Sequence, residues 1–120
     1  MRIIFDTNAI IYAVKSKFDL FEEFKFWKII IPKCVLKELE LLSKKAEKLS
    51  DKKAAILALA VLSKKSFEKP ELKGPTDQAI LSYAKKIDAA ILTNDVELKK
   101  LAKKDKIKLF SISRKKILEL

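Results

Sequence analysis

The sequence predicts an α/β fold: a three-layer α/β/α sandwich on a parallel sheet. Three observations carry this. Short apolar runs alternate with longer stretches of helical spacing, the pattern of β-α-β units. The short runs are apolar throughout, as strands are when both faces of a sheet are covered. The chain has 120 residues, 49% of them apolar, which suits one core and one domain over 1–120.

The elements follow in order. Residues 2–5 (Arg-Ile-Ile-Phe) read as a buried strand that stops at Asp6-Thr7-Asn8, a helix start. Residues 9–14 and 18–27 read as helical, with a polar break at 15–17. Residues 28–31 form a second strand, ended by Pro32. Residues 33–49 carry Val35, Leu39, Leu42, Ala46 and Leu49 at helical spacing. Ser50 or Asp51 then caps a helix rich in Ala and Leu that runs to about Lys65. Residues 66–69 read as a short edge strand. Residues 70–75 hold two of the three prolines and the only glycine, and mark a loop. A helix from Thr76 to about Ile87, a strand at 89–93, a helix at 96–104 and a strand at 107–112 complete the chain.

Composition narrows the chemistry. Lys and Arg number 27 against 16 Asp and Glu, a net charge of +11. That surplus points to a polyanionic partner, nucleic acid ahead of an acidic membrane surface. The absence of His removes imidazole catalysis and Zn–His sites. The single cysteine, Cys34, allows no internal disulfide and reads as a small buried residue in a reducing compartment. One glycine, Gly74, leaves no Walker loop and no dinucleotide-binding turn. The longest apolar run, residues 54–62, is too short to cross a membrane. Asp6 interrupts the only candidate signal region, so the expected location is cytoplasmic.

Open parallel sheets bind ligands beyond the carboxyl ends of their strands. Two strand ends match there: Ile3-Ile4-Phe5-Asp6-Thr7-Asn8 and Ala90-Ile91-Leu92-Thr93-Asn94-Asp95. If these strands are neighbours, Asp6 and Asp95 face each other. Two further carboxylates stand on apolar faces. Glu38 projects roughly 20° from Leu49 and roughly 40° from Leu42 around a helix, and Asp77 lies about 20° from the direction of Ala84. Carboxylates gathered near a core repel one another and raise each other's pKa, which a divalent cation relieves. Oxygen ligands suit Mg²⁺ or Mn²⁺. An acidic pocket on a basic body fits a protein whose lysines hold a phosphate backbone while a metal acts on the scissile phosphate.

These residues resemble the PIN domain. The matching pieces are residues 3–8 with Asp6, residues 35–42 with Glu38, residues 76–84 with Asp77, and residues 91–98 with Thr93 and Asp95. They occur in the family's order and span nearly the whole chain. The resemblance implies a metal-dependent ribonuclease on a parallel sheet of order 3-2-1-4-5, often a homodimer. It implies Asp6, Glu38, Asp77 and Asp95 as catalytic metal ligands for Mg²⁺ or Mn²⁺, with Thr7, Asn8 and Thr93 in support. Two branches compete: VapC-type toxins, partnered by an antitoxin, and archaeal relatives of the ribosome-processing PIN endonucleases, which act on ribosomal precursor particles. Ile31-Pro32 leading into Val35–Leu39, the Lys/Ala helix after Ser50 and the tail 111–120 look more like the second branch. A second acid often follows the position of Asp77 in that branch; here it is Gln78.

Plainer roles stand beside these. Asp6 can simply cap a helix, Asp77 and Asp95 can sit in first turns, and Glu38 can reach solvent. Asn94 and Glu97 fit a capping pair. A scaffold that grips RNA without cutting it fits the same charge. Residues 98–120 hold nine Lys/Arg against two acids. Lys99, Lys100, Lys103, Lys104, Arg114, Lys115 and Lys116 are therefore candidates for RNA-backbone contact, or else form a solvated helix face with an amphipathic end. Phe18, Phe21, Phe24, Phe26 and Trp27 form either core, a dimer surface or a stacking platform.

Overall fold

Apolar residues at 3–5, 29–30 and 90–92, and at 109–112 around the buried Ser111, become strands because they need cover on both faces. A computed structural model describes all residues, 1–120. The order is β1 (Arg2–Phe5), α1 (Thr7–Lys15), α2 (Leu20–Glu23), β2 (Lys28–Ile30), α3 (Lys33–Lys45), α4 (Leu49–Leu62), α5 (Thr76–Ile87), β3 (Ala90–Leu92), α6 (Val96–Lys104), β4 (Leu109–Ser113) and β5 (Lys116–Glu119). The sheet runs β2-β1-β3-β4-β5. Its first four strands are parallel and β5 is antiparallel to β4. Ile3, Ile4, Phe5, Ile30, Ile91 and Leu92 are fully buried, as the continuous apolar runs require.

The expected order 3-2-1-4-5 is present in substance. The third expected strand, at 66–69, shrinks to one parallel bridge between Glu68 and Ile30, beyond β2. Helices α1, α3 and α4 pack together, and α5 packs on α6. Parallel strands and returning helices bring the ends of β1 and β3 to one edge, because β1 pairs Ile4 with Ile91 and Phe5 with Leu92.

Several elements differ from expectation for identifiable reasons. The helix at 33–49 stops at Lys45, where Ala46 turns extended (φ −61°, ψ 135°). Leu49 instead opens α4 and is exposed. Ser50 and Asp51 therefore lie inside α4, and Asp51 pairs with Lys15 of α1. Residues 18–27 give only the single turn α2, capped by Asp19, whose side chain accepts from the N–H groups of Phe21 and Glu22. Phe24 is buried and meets Phe5, Trp27 and Phe110 edge to face, so this cluster is largely core. Phe26 alone is fully displayed, at 89% exposure. Cys34 is half-buried rather than buried.

The tail beyond residue 112, to which the sequence assigns no element, forms a fifth strand. It folds back as the β4–β5 hairpin, with Ser113 opposite Lys116 and only Arg114 and Lys115 between them. Both adopt positive φ, 49° and 59°. A two-residue hairpin loop demands this geometry and ordinarily uses Asn-Gly. Long side chains there store of order 1 kcal/mol each. We expect R114N/K115G to raise thermal stability by about 1–2 kcal/mol, read as the unfolding midpoint. A lower midpoint would show that the Arg-Lys turn is not strained.

Candidate active site

Asp6 follows directly after β1, and its backbone N–H still bonds the carbonyl of Leu92 at 3.0 Å. The residue is therefore held in the sheet while its side chain leaves it. Asp6 is only 4% exposed and caps α1. Its Oδ1 accepts from the Thr7 N–H at 2.9 Å, and its Oδ2 accepts from the Thr93 hydroxyl at 2.7 Å. The Thr93 oxygen in turn accepts from the Asp95 N–H at 3.0 Å. One buried hydroxyl thus joins the ends of β1 and β3 and starts the turn into α6.

Asp95 is the cap of α6. Its Oδ1 accepts from the N–H groups of Glu97 and Leu98 at 2.8 and 3.1 Å. The expected Asn94–Glu97 capping pair does not form, because Asn94 has other partners. Its Nδ2 donates to the Ile112 carbonyl at 3.0 Å and its Oδ1 accepts from the Ile112 N–H at 2.9 Å. The side chain thereby pairs with β4 as a strand backbone would. The Asn94 N–H donates to Asn8 Oδ1 at 3.0 Å. Asn8 thus ties the start of α1 to the end of β3, and Asn94 ties that end to β4.

Glu38 reaches the same place by another route. It is an exposed residue of α3, and the helical alignment with Leu49 fails because Leu49 belongs to α4. Its Oε2 nevertheless accepts from the Thr7 hydroxyl at 3.0 Å. Thr7 thus serves Asp6 through its N–H and Glu38 through its hydroxyl. Asp77 lies half-buried in the first turn of α5, with no hydrogen-bond partner for its carboxylate. Of the four carboxylates only Glu38 lines the adjoining open cavity of about 360 Å³, with Thr7, Asn8, Tyr12, Lys15, Asp51 and Asn94.

The electrostatics bind the four carboxylates into one group. Burial pushes the Asp6 carboxyl up to about 6, against the lowering effect of its bonds from Thr93 and Thr7. The charges of Asp77 and Glu38 push it in the same direction. The Asp77 carboxyl is also raised, first by burial and then by Asp95. No three carboxylates converge closely enough to hold one ion as the side chains stand. The donor set nevertheless fits a hard cation. It is all oxygen, three of its four members keep at least one oxygen free of protein donors, and a hydrated Mg²⁺ needs few protein ligands.

The candidate RNA contacts divide. Helix α6 starts at the acidic edge and runs back about 13 Å along the sheet. Lys103 and Lys104 sit in its last turn, at the opposite edge, and Lys100 lies 4.0 Å from Glu97. Arg114, Lys115 and Lys116 sit at the acidic edge, beside Ile112 and its partner Asn94. Tyr12 was not marked by any sequence pattern, yet its hydroxyl accepts from the Arg114 N–H at 3.2 Å.

The PIN like domain family model matches residues 3–115. Ribonuclease VapC9 of Archaeoglobus fulgidus is 34% identical, over 83% of this chain and 74% of that protein. Ribonuclease VapC4 of Methanocaldococcus jannaschii is 32% identical, over 99% of this chain and 95% of that protein. A solved domain of a functionally unknown protein from Methanocaldococcus jannaschii has the same fold, with a TM-score of 0.66 at 22% identity, covering 99% of this chain and 96% of that one.

A carboxyl raised from 3.8 to about 6 in the folded protein binds a proton more tightly there than in the unfolded chain. Its contribution to stability is therefore greatest at low pH and is lost as pH rises from about 4 through 6, at a cost near 3 kcal/mol above that window. Asp6→Asn removes this cost, and Asn8 Oδ1, 3.3 Å from the Thr93 hydroxyl, offers that hydroxyl another acceptor. In EDTA at pH 7.5 the variant should be about 2–3 kcal/mol more stable than the parent, with the gap closing near pH 4. A variant less stable than the parent at pH 7.5 would contradict this origin of the shift.

Proposed function

The chain belongs to the PIN-like domain family, and from that premise we propose that it is a metal-dependent endoribonuclease of the VapC toxin type, a single domain over 1–120. The observation that carries the reading is the pair of threonines that ties the site together, Thr7 bonding both Asp6 and Glu38 and Thr93 bonding both Asp6 and the Asp95 N–H, at the carboxyl edge of the sheet in a chain with net charge +11. The names of two relatives above 30% identity favour the toxin type. The partners this reading calls for are RNA, an antitoxin and a second copy of the chain, in the cytoplasm.

Asp6, Glu38, Asp77 and Asp95 would hold Mg²⁺ or Mn²⁺. Bound there, a divalent cation supplies an acidified water and positive charge against the scissile phosphate. The chain's own residues orient the donors. Thr93 fixes Asp6 Oδ2, Thr7 fixes Asp6 Oδ1 and Glu38 Oε2, and the α6 N-terminus fixes Asp95 Oδ1. With no His present, no imidazole is on hand to act as base.

Ribosome-processing activity is the second reading. It rests on the resemblance of residues 31–39, the helix after Ser50 and the tail. The relatives named above weigh against it. A scaffold that binds RNA without cutting it fits Gln78; the curated relatives, both ribonucleases by name, favour cutting.

Purified protein should cleave labelled RNA with Mg²⁺ or Mn²⁺ and not in EDTA. Asp6→Asn and Asp95→Asn should each lower the rate by roughly 100-fold or more. Full cleavage by both variants would overturn the assignment. RNA panels that include ribosomal precursor fragments, together with growth arrest on expression, separate the two readings.

A further inference from the structure

We propose that the tip of the β4–β5 hairpin, Arg114–Lys115–Lys116, is the phosphate clamp that holds a single RNA strand at the acidic edge. This rests on the nuclease reading for its substrate but concerns a different part of the molecule. Three observations meet at the tip. Its position is set by topology: β4 is parallel to β3, so the residues after Ser113 lie at the edge where Asp6 and Asp95 emerge. Its attachment is specific. Asn94, adjacent to Asp95, holds both backbone groups of Ile112, and Tyr12, one and a half turns beyond Asp6 on α1, accepts from the Arg114 N–H. Its charges are free and adjacent: Arg114, Lys115 and Lys116 are exposed, none is in an ion pair, and all three stand at the edge that carries the carboxylates.

The tip also keeps residues that its backbone disfavours. Arg114 and Lys115 occupy two left-handed positions where Asn-Gly is the easy choice. Strained conformations persist where the surrounding structure fixes them, and they gather at sites of function. Here the gain is two cations on a two-residue turn and a third at the first residue of β5 beside it. A guanidinium fork and two ammonium groups suit successive phosphates of one strand. The acidic pocket repels that strand, so a cationic contact at its rim is needed to bring the backbone in.

The test is RNA binding in EDTA, read by fluorescence anisotropy of a labelled single-stranded oligonucleotide across a KCl series. R114N/K115G removes two cations and installs the preferred turn, so its fold is kept. Counterion release predicts that its salt slope falls by about 1.4 and its affinity at 0.1 M KCl by roughly 10- to 30-fold. A charge-matched pair in the last turn of α3, K44Q/K45Q, should change the slope by less than about half a unit. The proposal is overturned by an unchanged slope in R114N/K115G, by equal losses in the two pairs, or by no RNA binding at 50 mM KCl. Cleavage with Mn²⁺ is measured separately. Tip-dependent binding without cleavage upholds the clamp and sinks the nuclease reading; cleavage with a tip-independent slope does the reverse.

Discussion

The hydrogen bond from the Thr93 hydroxyl to Asp6 Oδ2 is the contact on which the rest of the site depends. It is made by a fully buried side chain at the end of β3 to a carboxylate at the end of β1. Burial alone would drive the Asp6 proton affinity up without limit on its geometry. The hydroxyl restrains that rise and fixes which oxygen faces which neighbour. Because the same hydroxyl accepts from the Asp95 N–H, it also sets where α6 begins and where Asp95 stands. Two strand ends with similar sequences thus become one site through a single shared atom.

The fold was legible because parallel-sheet strands leave a strong imprint. Positions covered on both faces are apolar, so the runs at 3–5, 29–31 and 89–92 stand out. The carboxylates were legible for the complementary reason, since Asp6 and Asp95 follow those runs, but the register puts Thr93 rather than Asp95 against Asp6. Less visible was anything decided by tertiary contact. The break at Ala46 has no glycine or proline beside it, so the spacing to Leu49 looked continuous. Of the two alignments that point to Glu38, the one with Leu42 lies within α3 and the one with Leu49 does not, because Leu49 opens α4. Glu38 joins the site through Thr7. The β4–β5 turn was invisible because Arg and Lys carry no turn signal. Asn94 looked like a cap, since nothing local marks a side chain that pairs with a strand eighteen residues away.

The distribution of charge follows from the same topology. Helices that return from the acidic edge carry their last-turn lysines to the opposite edge, where they complement helix C-termini. Charge counting along the sequence merges these lysines with those of the hairpin. In three dimensions the lysines that end α5 and α6 lie away from the carboxylates, whereas the hairpin set and Lys15, which pairs with Asp51 beside Glu38, lie near them.

The central claim is that Asp6 is a buried, mutually repelled carboxylate whose strain a divalent cation relieves. A ¹³C-detected NMR titration of the Asp6 side-chain carboxyl, in EDTA and then with Mg²⁺, tests it directly. The account predicts a midpoint of about 6 in EDTA, falling by about one unit or more when Mg²⁺ is added. A midpoint near 4 that Mg²⁺ leaves unmoved would contradict it.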